Sequence, residues 1–183
     1  MNIVIFDTET TGLLQPENSD LTMQPKIIEF YGVKINEEFE IQDELDILID
    51  PEEPISKLIT DITGITNSMV KGKKTFAFAE PYIRQFFENT DISVAHNHSF
   101  DSGMLDSECK RFHKERPRAK HEICTVEATM SMTGHRLSLK RLHWMLLQKE
   151  FKPHRAKEDV YALVRCFHNL TESKVIDLEH YTD

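Results

Sequence analysis

The chain has 183 residues, 29% of them charged, with a net charge of −9 and three cysteines, Cys109, Cys124 and Cys166. That length suits one globular domain with a sizeable core, and the odd, widely spaced cysteines, lacking any Cys-x-x-Cys or Cys/His spacing, argue against a disulfide framework or a structural zinc site. The opening apolar run ends at Asp7, too short for a signal peptide, and nothing approaches the roughly 20 apolar residues that cross a bilayer, so a soluble cytoplasmic protein is expected.

In chain order, residues 2–7 read as a buried strand and 8–25 as a polar loop broken at Gly12 and Pro16. Residues 27–36 and 39–49 alternate β-branched and polar types around Asn36-Glu37-Glu38, predicting a hairpin that Pro51 and Pro54 end. A short helix at 56–61, a turn at Thr63-Gly64-Ile65-Thr66 and an amphipathic helix at 76–88 follow. Residues 91–96 form a second core strand, 100–113 a helix, 122–126 a short strand, 137–147 an amphipathic helix with Ser138 near its start, and 156–170 the last helix. The end, 173–183, reads as a short polar tail after a domain spanning 1–172. Strands first and helices later, with a strand-helix-strand return, predict an α/β fold: a single mixed β-sheet flanked by helices.

The acidic net charge speaks against a polyanionic partner, but its distribution does not. Residues 1–60 hold 3 Lys or Arg against 14 Asp or Glu, whereas 110–157 hold 13 against 4. The second stretch could follow a phosphodiester backbone or could be the solvated faces of helices.

Three constellations carry candidate chemistry. On the first strand, side chains two apart share a face, so Asp7 and Glu9 place two carboxylates together. Such a pair recruits a hard cation such as Mg²⁺ or Mn²⁺, unless the strand simply emerges into solvent there. The second is Ala95-His96-Asn97-His98-Ser99-Phe100-Asp101, at a strand-helix junction of the kind that faces the crevice of an α/β sheet. Asp101 is either a functional carboxylate or a first-turn helix acid meeting the dipole. His96 and His98 share a face as zinc ligands would, but nothing completes the set. The third is Pro153-His154-Arg155-Ala156-Lys157-Glu158-Asp159, where one rigid element presents an imidazole and a further carboxylate. His154 is suited to proton abstraction near neutral pH, or is an ordinary exposed histidine.

Together, Asp-x-Glu-Thr, His-Asn-x-x-Phe-Asp and His-x-Ala-x-x-Asp, in this order, resemble the three motifs of the DnaQ-like, or DEDDh, 3′–5′ exonucleases, whose fold is ribonuclease H-like. The resemblance covers residues 3 to about 170, and it is closest to proofreading-subunit-like and exonuclease X-like members. Pro25-Lys26-Ile27-Ile28-Glu29-Phe30 and Leu137-Ser138-Leu139-Lys140-Arg141-Leu142 agree with it. The resemblance implies two divalent cations, Mg²⁺ or Mn²⁺: Asp7, Glu9 and Asp159 hold one, Asp7 bridges to a second, and Asp101 supports that second one. It implies His154 as general base, with Thr10, Gly12, Leu13, Ile65, Asn97 and Phe100 at the terminal nucleotide. The partner implied is nucleic acid with a free 3′ end, single-stranded DNA more than RNA, with a DNA polymerase or repair protein as a further partner. A non-catalytic nucleic-acid binder is disfavoured because binding alone does not require this set. One departure stands out: Thr63-Gly64-Ile65 occupies a turn where many relatives carry His-Gly-Ile or His-Gly-Leu, and threonine can neither carry charge nor stack.

Overall fold

The computed structural model describes residues 1–17 and 19–182. The five strands β1 (Ile3–Thr10), β2 (Ile27–Ile35), β3 (Ile41–Leu48), β4 (Ile92–Ala95) and β5 (His121–Cys124) form one sheet in the order β3-β2-β1-β4-β5. β1 is antiparallel to β2 and parallel to β4, and β4 is parallel to β5, so the sheet is mixed as expected. The hairpin of β2 and β3 forms where the alternation places it. Its edge strand β3 is largely exposed and carries Asp43, Glu44 and Asp46, charges that deter pairing with another chain.

Among the described residues, seven helices flank the sheet: α1 (Lys57–Thr63), α2 (Asn67–Val70), α3 (Phe76–Phe86), α4 (His98–Lys110), α5 (Thr125–Thr133), α6 (Leu139–Leu147) and α7 (Ala156–Glu172). The two faces of β1 sort them. Ile3 and Ile5 pack with Val160, Leu163 and Phe167 of α7, while Val4 and Phe6 pack with Ile83 and Phe86 of α3 and with Met104 and Leu105 of α4. The two candidate carboxylates beyond, Asp7 and Glu9, continue the face that meets α7.

Several boundaries differ from expectation. β1 runs on to Thr10 rather than ending at Asp7, because its outer residues still pair with Phe30, Glu29 and Ile27 of β2. α4 starts at His98, since Asn97 with φ 73° turns the chain directly out of β4. α5 replaces the end of the expected 122–126 strand: its threonines and Val126 are weak helix formers, and burial of Thr125, Val126 and Thr129 overrides that preference. Beyond α7, Ile176 is buried and Tyr181 lies against His121, so this end of the chain packs on the core. No helix among the described residues is long and apolar enough to cross a membrane.

Gly32 on β2 shows how closely α3 is seated. A Cβ there would lie 2.8 Å from Cε1 of the buried Phe86. Gly32→Ala is expected to cost about 1–3 kcal/mol by overpacking, seen as a lower urea midpoint with an unchanged slope; an unchanged midpoint would show that α3 yields freely.

Candidate active site

Asp7 and Glu9 come from β1, and α7 brings Asp159 across to them. One carboxylate oxygen from each lies within 4.8 Å of the other two. The helix is held for this task by residues outside the motifs. Arg155 donates to Glu29 of β2 at 2.7 Å and 3.3 Å, and the Ala156 backbone N–H donates to the same carboxylate at 3.1 Å. Glu29 is buried and stands opposite Glu9 in the β1/β2 register. A β2 carboxylate thereby caps the first turn of α7 and fixes where Asp159 points.

Asp101 arrives from the other layer. It accepts hydrogen bonds from the Thr8 backbone N–H at 2.9 Å and the Thr8 hydroxyl at 2.8 Å. Thr8 points away from Asp7 and Glu9, which explains why Asp101 adjoins the three-carboxylate group without belonging to it. His154 is exposed just before α7 with φ 76°, and its backbone N–H donates to Asp159 Oδ2 at 2.9 Å. The other oxygen, Asp159 Oδ1, is buried with no partner among the described residues.

Four carboxylates in one half-buried cleft disfavour each other's charge. Burial, then the neighbouring Asp101 and Glu9, hold Asp7 well above the usual carboxylate range. Burial and Asp159 push Glu9 up to about 8. Asp101 rises to about 7 through burial, against the two bonds from Thr8, and Asp159 to about 6, against the His154 N–H. A bound cation would relieve such a group of its mutual repulsion. Clustered oxygens on a hard donor set, one of them orphaned, fit a divalent ion such as Mg²⁺ or Mn²⁺.

The sign of the pH effect follows. Carboxylates whose folded pKa exceeds the unfolded value of about 4 bind more protons when folded, so stability falls as pH rises through about 4 to 8. Glu44, held near 2 by Tyr31, Lys157 and Tyr161, acts only below this window, and His96 and His98, lowered by burial from the ordinary 6.5, oppose the carboxylates only below about pH 6.5. The metal-free protein is expected to melt at a lower temperature at about pH 8 than at about pH 7, a window above the ordinary histidine pKa, with a saturating divalent cation removing the difference. A flat profile in chelator would contradict this.

The remaining expected residues separate. Thr10 bonds the Gly12 carbonyl at 2.6 Å, bracing the turn after β1, and Leu13 beyond it is 77% exposed. Asn97 accepts a hydrogen bond from Arg136 at 2.7 Å, and Phe100 is half-buried against the α3/α4 core. Ile65 requires correction. It is fully buried with Ile28, Ile55 and Val70, so its side chain has no surface to offer a base. The apolar side chain exposed there is Ile62, in a depression shared with Thr63, Gly64 and His154. The Thr63 hydroxyl is consumed inside the turn, donating to the Ile59 carbonyl and accepting from the Ile65 N–H. His96 and His98 are tied to different neighbours: His96 to Thr125 and the Leu137 carbonyl, His98 to Ser93. Burial lowers the pKa of both imidazoles, which suits neutral structural hydrogen bonding.

Thr8, Glu29 and Arg155 are the supporting residues that motif reading missed. For Glu29 a signal existed: it is a lone acid in the otherwise nearly apolar start of a strand, and a buried carboxylate demands a partner.

The exonuclease family model RNase_T matches residues 4–167. The DNA polymerase III PolC-type protein of Latilactobacillus sakei subsp. sakei (strain 23K) is 32% identical over 178 residues, covering 97% of this chain and 10% of that protein. Its counterpart in Listeria innocua serovar 6a is 37% identical over 134 residues, 72% of this chain and 8% of that protein. The chain thus spans roughly a tenth of the length of the polymerases it matches. Among solved structures, exonuclease X in complex with 5′-overhanging duplex DNA superposes with a TM-score of 0.70 at 23% identity, covering 99% of this chain and 98% of that one. The nuclease domain of 3′hExo, a DEDDh family member bound to rAMP, gives 0.73 at 21%, covering 94% and 92%. With the family model spanning most of its length, the chain belongs to the RNase_T exonuclease family.

Proposed function

We propose that the chain is a metal-dependent 3′–5′ exonuclease that removes 5′-mononucleotides from the 3′ end of DNA. The observation that carries this is the convergence of Asp7, Glu9 and Asp159, with a buried, unpartnered oxygen, beside an exposed His154. Asp7, Glu9 and Asp159 would hold one divalent cation, and Asp7 with Asp101 would hold a second. When bound, such ions polarise the scissile phosphate, acidify the attacking water and stabilise the departing 3′ oxygen. His154 takes the proton of that water, and its exposure lets it pass the proton on to solvent. Thr10, Gly12 and Leu13 on one side, and Asn97 and Phe100 on the other, bracket the terminal nucleotide, with Ile62 as the apolar neighbour at the turn. The named relatives are DNA polymerases of PolC type, which supports a proofreading role beside a polymerase and favours DNA over RNA. The three cysteines are free thiols, compatible with a reducing cytoplasm.

The test is a matched pair of single strands, DNA and RNA, labelled internally and incubated with Mg²⁺. Stepwise shortening from the 3′ end with release of 5′-mononucleotides is expected, faster for DNA and abolished by chelator. Intact strands would sink the reading, and faster loss of RNA would reassign the substrate.

A further inference from the structure

The thirteen basic residues of 110–157 divide sharply once their partners are known. Seven are engaged by carboxylates: Lys110 by Asp106, Arg111 by Glu108, Lys114 by Glu80, Arg116 by Glu122, Lys120 by Asp91, Arg155 by Glu29 and Lys157 by Glu44. Their charge is compensated locally. The six with no carboxylate partner among the described residues are Arg118, Arg136, Lys140, Arg141, Lys149 and Lys152. All six are exposed, and five lie within residues 136–152, where Glu150 is the single acid.

This segment is fastened to the active site at both ends. Arg136 donates to Asn97, and the Leu137 carbonyl bonds His96, both in the second motif. At its far end the chain runs from Lys152 directly into His154. Between them α6 presents Trp144, 40% exposed, with the Arg141 guanidinium 4.8 Å from the ring centroid. Ser138, Lys140, Arg141, Trp144 and Glu150 line a shallow depression of about 360 Å³. Uncompensated cations interleaved with an exposed aromatic plane match a single nucleic-acid strand, whose phosphates follow charge and whose bases stack.

We propose that residues 136–152 form the track for the strand that leads into the active site, with Lys140, Arg141, Lys149 and Lys152 on its phosphates and Trp144 stacking a base upstream of the 3′ terminus. The proposal rests on the exonuclease reading but concerns the strand beyond the cleaved nucleotide. Trp144 faces solvent, so the track acts on affinity for long substrates and leaves the chemical step alone.

Two measurements keep these readings apart. The first is fluorescence anisotropy of a labelled 20-nucleotide DNA strand, titrated with wild type, Lys140→Ala/Arg141→Ala and Trp144→Ala in Ca²⁺. The second is hydrolysis of the p-nitrophenyl ester of thymidine 5′-monophosphate in Mn²⁺, a substrate too small to leave the cleft. For the double variant the dissociation constant is expected to rise about tenfold at low salt. Its dependence on log salt should be shallower by about 0.7 for each phosphate that is no longer neutralised. Trp144→Ala is expected to weaken binding about tenfold with the salt slope intact, and both variants should hydrolyse the ester at the wild-type rate. Unchanged strand affinity in both variants would overturn the track, as would polyglutamate displacing the strand as well as unlabelled DNA does. If wild type binds the strand through these residues yet leaves both the ester and the strand's 3′ end intact in Mg²⁺, the track stands and the exonuclease reading falls.

Discussion

Asp7→Asn is expected to do two opposite things at once. Turnover should fall by about 10³-fold or more, because the variant loses the carboxylate proposed to reach both ions in a site whose catalysis is electrostatic. In chelator at about pH 8, the same variant should melt at a higher temperature than wild type, since it removes one charge from a cluster in which Asp7, Glu9, Asp101 and Asp159 repel one another. Adding a divalent cation should reverse the order. Wild type gains stability from a ligand that binds only the folded state, and the variant gains little. Melting curves with and without Mn²⁺ make this crossing visible. A variant less stable than wild type in chelator would mean that Asp7 is held by something other than its rivals.

His154→Ala separates chemistry from assembly. Loss of a general base costs about 10²–10⁴-fold in rate, and a drop of that size is expected here with ion affinity nearly unchanged. The reason is local: Asp159 is held by the backbone N–H of His154, which alanine keeps. The position also has φ 76°, a conformation that glycine adopts without strain. His154→Gly should therefore be at least as stable as His154→Ala and equally slow. Calorimetric titration with Mn²⁺ beside single-turnover rates distinguishes the cases; wild-type rates in either variant would remove His154 from proton transfer.

Each local piece of the site was legible in its spacing, whereas the meeting of Asp159 with Asp7 and Glu9 was implied only by the family resemblance. Period two on one strand pairs Asp7 with Glu9, and the loop entering α7 sets His154 just ahead of Asp159 in its first turn. What holds them was not legible, because it depends on partners distant in the chain. Thr8 and Asp101 lie 93 positions apart, and Arg155 and Glu29 lie 126 apart, distances over which composition and periodicity carry no pairing information. Ile65 failed for a related reason: an apolar residue in a turn reads the same whether it faces a cleft or a core, and only the packing against Ile28 and Val70 decides. The basic stretch was visible as a surplus, but its division into compensated and free cations required the positions of the acids. α5 shows the remaining gap, a helix whose three threonines and Val126 work against it and whose burial stabilises it.

β1 sits at the centre of the five strands, paired with β2 along its whole length and with β4 at Ile3–Ile5, and covered on both faces. Half of the site is therefore built on backbone whose amides should exchange with solvent only when the whole molecule opens. The other half, from Lys149 to Arg155, is loop with few buried groups, tied at the Arg155 clamp and the Asp159 bond. Deuterium uptake should be slowest around Asp7 and fast around His154. Asp7 and Glu9 thus stand on a buried strand, whereas His154 rides on an exposed loop that reaches them through two polar anchors, so the proposed base and the proposed ligands answer to different local stabilities.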